Sequence, residues 1–169
     1  INKLKAKLNE FVDKDRKDRE LEEKNAATKQ AEYEKAKKRR QDWYEGYRIK
    51  SQESANIIWY WYKEFVDSSS FQEIIESLKK TKAESLWLSE TIECTVPNSC
   101  FPDRDWLEKQ VLTINISDRK LFVHNIVKYG KSYEIKGVSD LLEHVEPPIL
   151  IEIAQRITKS TIWDGMKVY

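Results

Sequence analysis

Residues 56–65 read NIIWYWYKEF, and this stretch decides how we expect the chain to be organised. It places four consecutive aromatic side chains, Trp59 to Tyr62, in a chain of which 35% is charged. Each such ring buries about 150–250 Å² when it is packed. Four consecutive side chains on a helix point in different directions, so both sides of the segment must be covered. We therefore predict an aromatic anchor at the end of a helix.

The residues that we predict to bind a partner are aromatic and form two groups on this helix. They are Trp43, Tyr44 and Tyr47, followed by Trp59, Tyr60, Trp61 and Tyr62. We favour packing in a core together with a contact to another subunit. Two alternatives remain open: a β-strand, because Trp and Tyr have high strand propensity, and a platform on which nucleic-acid bases stack.

Residues 1–66 have the composition of one long, charged helix. The first 95 residues contain no proline and a single glycine, Gly46, which we take as a candidate bend. Ile1, Leu4, Leu8 and Phe11 recur at the spacing of a coiled-coil seam, but the same register then reaches Asp15 and Asp18. A short coiled coil and a helical hairpin are both left open for this arm, which we expect to be about 95 Å long if continuous.

Residues 70–169 are predicted to form an α+β module. Ser70 and Glu73 form a capping box that starts a second helix. A loop and a short helix over 104–110 follow. Alternating apolar residues then predict a three-stranded antiparallel meander, with strands at 112–117, 120–129 and 132–136 and a two-residue turn at Gly130-Lys131. Two further helices, over 140–145 and from Pro148 onward, would pack on the sheet.

The charge balance excludes a strong global field. Lys plus Arg total 30 and Asp plus Glu total 29, so only a local patch could attract nucleic acid or an anionic surface. No apolar run approaches the roughly 20 residues that span a bilayer, and we predict no membrane contact. Cys94 and Cys100 are interpreted as free thiols in the cytoplasm, with a bridge between them as the alternative.

The dense basic run is KAKKRR at residues 35–40. Its cationic members are Lys35, Lys37, Lys38, Arg39 and Arg40. Such a run could neutralise a few phosphates and bind nucleic acid without sequence preference. Neighbouring acidic residues dilute its field, so a solvated helix face or a contact with an acidic protein are the competing interpretations.

Three residues suggest a second, enzymatic alternative. Pro102-Asp103 and Glu134-Ile135-Lys136 resemble the PD-(D/E)xK pattern of metal-dependent nucleases. The resemblance covers three positions of the chain, and it implies that Asp103 and Glu134 hold Mg²⁺ while Lys136 polarises the attacking water. The two histidines and two cysteines match no zinc spacing. Apart from this resemblance we predict no metal, no cofactor and no small-molecule ligand.

Together these features predict a non-enzymatic assembly subunit. It would oligomerise or dock on a larger complex through its helical arm, in the cytoplasm or within an assembled particle such as that of a virus or phage. The partner would be another protein or a second copy of the chain.

Overall fold

The computed structural model describes residues 1–102, 104–127 and 130–159, together with the backbone of 167–168. The chain begins with two helices, α1 (Asn2–Val66) and α2 (Ser69–Leu78). Strands β1 (Ser85–Trp87), β2 (Ile92–Pro97), β3 (Asp105–Asn115), β4 (Leu121–Asn125) and β5 (Ser132–Ile135) follow. Helices α3 (Val138–His144) and α4 (Pro147–Thr158) and strand β6 (Lys167–Val168) complete the order. The fold is therefore α+β, as the sequence predicts.

Helix α1 is unbroken, so the helical hairpin is wrong as an interpretation of residues 1–66. The strand alternative for the aromatic stretch is also wrong, because residues 56–65 lie in the same helix. The helix continues through Gly46, where an added Cβ would meet no atom within 4 Å. Glycine therefore has no packing role at this position.

Helix α2 starts slightly earlier than the capping box predicts. Its N-cap is Ser68, whose hydroxyl accepts a hydrogen bond from the backbone N–H of Phe71 at 3.2 Å. A serine in extended conformation satisfies one of the backbone donors that the first helical turn leaves open. The tight corner between α1 and α2 thus depends on Ser68 and not on Ser70.

The sheet is larger than the predicted three strands. Strands β3, β4 and β5 form an antiparallel meander, with Val123 opposite both Leu112 and Tyr133. However, the order across the sheet is β5-β4-β3-β1-β6, and β2 also pairs with β3. The three-stranded description missed β1, β2 and β6. Strands β1 and β6 are only three and two residues long. Strand β2 does alternate apolar and polar residues, from Ile92 to Val96, and this local signal was overlooked.

Two local predictions in this region are wrong. The helix expected over 104–110 is absent, since residues 105–115 form the long strand β3. Strand β2 pairs with β3, and sheet pairing of this kind outweighs the weak helical preference of the sequence. The connection from β4 to β5 is also longer than a two-residue turn. Gly130 is required there, because a Cβ would lie 1.6 Å from the carbonyl oxygen of Asn125.

The hydrophobic core lies between one face of the sheet and the helices. Alternate strand residues point into it, such as Leu112 and Ile114 of β3 and Val123 of β4. The C-terminal part of α1 contributes Ala55, Ile58, Tyr62, Phe65 and Val66, which recur at helical spacing. The other helices contribute Phe71, Leu141, Ile149, Leu150 and Ile153.

The described chain divides into two compact units. One unit contains residues 1–41 and 97–104, and the other contains residues 42–96 and 105–169. Helix α1 contributes residues to both units. The hydrophobic core belongs entirely to the second unit, which contains all of its buried members. The predicted division into residues 1–66 and 70–169 stays a prediction.

Candidate interaction surfaces

The four aromatic residues of the anchor lie in three different environments. Tyr62 is buried in the core, and Trp59 and Trp61 are half-buried against it. Tyr60 points away, with 67% of its surface exposed. The rings contact one another and their neighbours, with centroids 5.3 Å apart for Trp59 and Tyr62 and 4.8 Å apart for Trp61 and Phe65. Of the four, Tyr60 is therefore the ring most available to a partner.

The second aromatic group contacts its own chain. Trp43 lies edge-on to both Tyr44 and Tyr47, with centroids about 5 Å away in each case. The hydroxyl of Tyr44 donates a 2.8 Å hydrogen bond to the carboxylate of Glu146, the N-cap residue of α4. All three rings are half-buried. They fasten the middle of α1 to the start of α4.

A groove follows α1 beside α4. It has a volume of about 230 Å³ and is lined on one side by Lys50, Glu53, Ser54 and Ile57. Ile151, Ala154 and Gln155 of α4 are among the residues on the other side. On the same helix Ile49 and Ile57 are 65% and 41% exposed. Exposed apolar residues beside a groove are typical of a contact surface.

The basic run divides into two parts. Arg39 donates to the carbonyl oxygen of Arg104 at 3.0 Å, and Arg40 donates to that of Pro97 at 2.8 Å. Ala36, on the same helix face, is fully buried. The two arginines therefore hold the segment between β2 and β3. Lys35, Lys37 and Lys38 are exposed instead.

The three nuclease residues are not brought into a described site. Asp103 lies outside the described residues. Glu134, on β5, pairs with the ammonium group of Lys120 at 3.7 Å. Lys136 is exposed, and its backbone N–H donates to the carboxylate of Asp140 at 2.7 Å.

A cluster of possible metal ligands occurs elsewhere. Among the described residues, Asp140, Glu143 and His144 place one ligand atom each within 4.8 Å of the others. The ring of His144 stacks on Tyr133 at 4.0 Å and 9°. Asp140 already accepts the hydrogen bond from Lys136. These contacts account for the arrangement without an ion.

His124, on β4, contacts one hydroxyl group on each of the two strands beside it, β3 and β5. Its Nε2 lies 2.8 Å from the hydroxyl oxygen of Thr113, and its Nδ1 lies 2.5 Å from that of Ser132. Burial lowers the pKa of His124 from its ordinary value of 6.5. The neutral imidazole therefore bridges β3, β4 and β5.

Gln110 is a buried polar residue that sequence reasoning did not identify. Its amide nitrogen donates to the side chain of Asn125 at 2.6 Å and to the carbonyl of His144 at 2.7 Å. Its amide oxygen accepts from the backbone N–H of Glu146 at 2.9 Å. One side chain thus joins β3 and β4 to the short link between α3 and α4. The pattern of apolar residues carries no signal for such a role.

The two cysteines are unbridged, as predicted. Cys94 is half-buried in β2, and burial together with the nearby charges of Glu146 and Glu108 raises the pKa of its thiol to about 12. Cys100 is exposed in the segment between β2 and β3. The two thiols therefore differ in environment.

Within the described part of the chain, no helix has both the length and the hydropathy needed to cross a membrane. Comparison with known proteins gives no match to this chain, whether among protein families, curated proteins or solved structures.

Proposed function

We propose that this chain is a non-enzymatic assembly subunit that binds a protein partner, or a second copy of itself, through α1. The observation that carries the proposal is the exposure of large apolar residues along this helix. Leu4, Leu8 and Phe11 are between 64% and 75% exposed, and Ile49 and Tyr60 are 65% and 67% exposed. Repeated exposed apolar residues on one helix favour a surface that a partner covers.

The polar residues between these positions support the same proposal. Helix α1 has ion pairs along its surface, such as Arg19 with Asp15 at 3.1 Å. Such pairs contribute only about 0.3 kcal/mol each, which stabilises a helix in water without burying it. The first half of this helix, whose residues up to Lys35 are all exposed, therefore presents contact points without building a core of its own. Its assembly would take place in the cytoplasm or within a larger particle.

A photo-crosslinking experiment tests the proposal. A photoreactive phenylalanine analogue would replace Phe11, Ile49 or Tyr60 in the full chain, produced in its own cells. We expect a light-dependent adduct of defined mass from at least one position. The control places the analogue at Ile126, an exposed apolar residue that follows β4. Absence of adducts from all three α1 positions would contradict the proposed function.

Nucleic-acid binding is the second candidate, and it is favoured by the exposure of Lys35, Lys37 and Lys38. Phosphate binding through these residues would weaken steeply with salt. A variant with all three replaced by Gln should then lose affinity for a DNA duplex and show a shallower salt dependence. Arg39 and Arg40 are left unchanged in this variant, because their hydrogen bonds to Arg104 and Pro97 are structural. An unchanged affinity would remove this candidate.

A further inference from the structure

The start of α1, together with the residue before it, carries an apolar stripe that we call the N-terminal seam: Ile1, Leu4, Leu8 and Phe11. These residues are 93%, 74%, 64% and 75% exposed. Their alternating three- and four-residue spacing is that of the a and d positions of a coiled coil. Leu4, Leu8 and Phe11, with Lys5 and Lys7, line one shallow depression on the helix surface. The side chains are therefore arranged to receive those of a facing helix.

Three of the four positions that flank the N-terminal seam are cationic, and the fourth is Val12. In this register Lys5, Lys7 and Lys14 occupy e and g positions, where coiled coils place the charges that select a partner. None of these three lysines forms an ion pair with another residue in the described part of the chain, although Asp13 and Asp15 pair with Arg16 and Arg19. Three ammonium groups thus border an apolar stripe without compensation.

Pairing with a second copy is unfavourable in either direction. An antiparallel pair would place Lys5 and Lys7 close to the same lysines of the second copy. A parallel pair in register would place Asp15 against Asp15 of the second copy in the seam. Like charges at these positions destabilise a helix pair.

A membrane surface is the less suitable occupant. Helices that lie in a bilayer interface have a broad apolar face, and Trp is common on it. The N-terminal seam is an a/d stripe beside which Val12 is the one further apolar residue, and Asp13, Asp15 and Asp18 follow. Those acidic groups would be repelled by an anionic surface.

We propose that the N-terminal seam binds an amphipathic helix of another protein whose apolar stripe is flanked by Asp and Glu. This inference rests on the proposed function of α1, and it names the chemistry of the partner. Apolar side chains of that helix pack between Leu4 and Leu8, while its acidic flanks pair with Lys5, Lys7 and Lys14. The contact ends before Asp15, where the apolar stripe ends.

Two designed peptides test the inference with the full chain. Both are three heptads long with Leu at a and d, and one has Glu at e and g where the other has Lys. We expect saturable binding of the Glu peptide in fluorescence anisotropy and none of the Lys peptide. Raising NaCl from about 50 mM to about 500 mM should weaken the binding, because salt screens exposed charges.

Seam variants provide the specificity control. Leu4→Lys/Leu8→Lys should weaken binding of the Glu peptide by at least about tenfold, since it removes two apolar contacts and adds charge. Leu21→Lys makes the same substitution at a 57% exposed position of the same helix outside the seam. Its affinity should stay within about twofold of the wild type. Circular dichroism should show equal helix content in all three proteins.

The other outcomes overturn the inference. These are equal binding of both peptides, no binding of the Glu peptide, or unaltered binding by the Leu4/Leu8 variant. Seam-dependent dimerisation in light scattering, or seam-dependent binding to vesicles of phosphatidylserine and phosphatidylcholine, would assign the seam to a second copy or to lipid. Photo-adducts at Ile49 or Tyr60 alone would leave the proposed function intact while the inference fails. Loss of adducts at every position would contradict both.

Discussion

The phenol hydroxyl of Tyr62 donates a hydrogen bond to the backbone carbonyl of Arg119. The guanidinium of Arg119 donates a hydrogen bond to the carbonyl of Val66 at 3.1 Å. It also lies 5.6 Å from the centre of the Phe71 ring. These contacts fasten the turn between β3 and β4 to the corner between α1 and α2. The buried member of the aromatic anchor therefore fixes a turn of the sheet.

Tyr62→Phe removes this hydrogen bond while keeping the ring in the core. We expect the free energy of unfolding to fall by about 1 kcal/mol, the usual contribution of a buried hydrogen bond. Urea denaturation measures the change. Tyr60→Phe is the matched control on an exposed ring, and an equal loss in both variants would contradict the role of Tyr62.

Arg119 has a left-handed backbone conformation with φ of 57°. Both Arg119→Ala and Arg119→Gly lose the guanidinium contacts, but glycine adopts this conformation without the steric cost of a Cβ. We therefore expect Arg119→Ala to be less stable than Arg119→Gly by about 1 kcal/mol in thermal or urea denaturation. The reverse order would show that the turn relaxes to another conformation.

Gln110→Leu should lower the free energy of unfolding by about 2 kcal/mol or more. The substitution keeps the size of the side chain but leaves the half-buried carbonyl of His144 and N–H of Glu146 without their partner, at about 1–3 kcal/mol each. Thr113→Val, at another buried polar position of β3, tests whether any polar loss has this effect. Equal and small losses of unfolding free energy in both variants would contradict the role of Gln110 in joining the sheet to the link between α3 and α4.

The pH dependence of stability follows from His124. Because burial lowers its pKa below 6.5 in the folded chain, the unfolded chain takes up a proton at a pH where the folded imidazole stays neutral. The stability that neutral His124 contributes is thus fully present above about pH 6.5. It is lost as the pH falls through the pKa that His124 has in the folded chain. His124→Gln should show a weaker loss of stability between about pH 7 and about pH 5. An equal loss of stability in the wild type and in His124→Gln would contradict the assignment of the pH dependence to His124.

The two thiols should react at different rates with a disulfide reagent. The pKa of about 12 keeps Cys94 protonated near neutral pH, and the thiolate is the reactive form. Cys100 is exposed and should react first in the native protein. The Cys100→Ser variant should then show only slow labelling, whereas Cys94→Ser keeps the fast phase. Fast labelling of Cys100→Ser would contradict the burial of Cys94.

Local patterns predicted the long helix and the strands that follow one another in the chain. The absence of proline before residue 97 and the alternation through Leu112, Ile114 and Ile116 are signals of this kind. Such signals extend over a few residues and do not depend on residues that are distant in the sequence. The meander of β3, β4 and β5 was predictable for the same reason.

Apart from β2, the missed features depend on residues far apart in the sequence. Strand β1 is three residues long and is a strand because it pairs with β3, opposite Thr113 and Asn115. Arg40 meets Pro97 across 57 positions, and Gln110 meets Glu146 across 36. Nothing in the neighbourhood of either residue in the sequence indicates its partner. The same limit applies to the candidate surfaces, where the two arginines of the basic run proved to be structural.

Gly46 has a consequence for how α1 moves. Glycine costs about 1 kcal/mol relative to alanine inside a helix, and the open space around it offers no compensating contact. The backbone amides near this position should therefore exchange with deuterium roughly fivefold faster than they would in a Gly46→Ala chain, because about 1 kcal/mol sets that ratio of open to closed states. The continuous helix α1 thus has at Gly46 a place where a partner could bend it at low energetic cost.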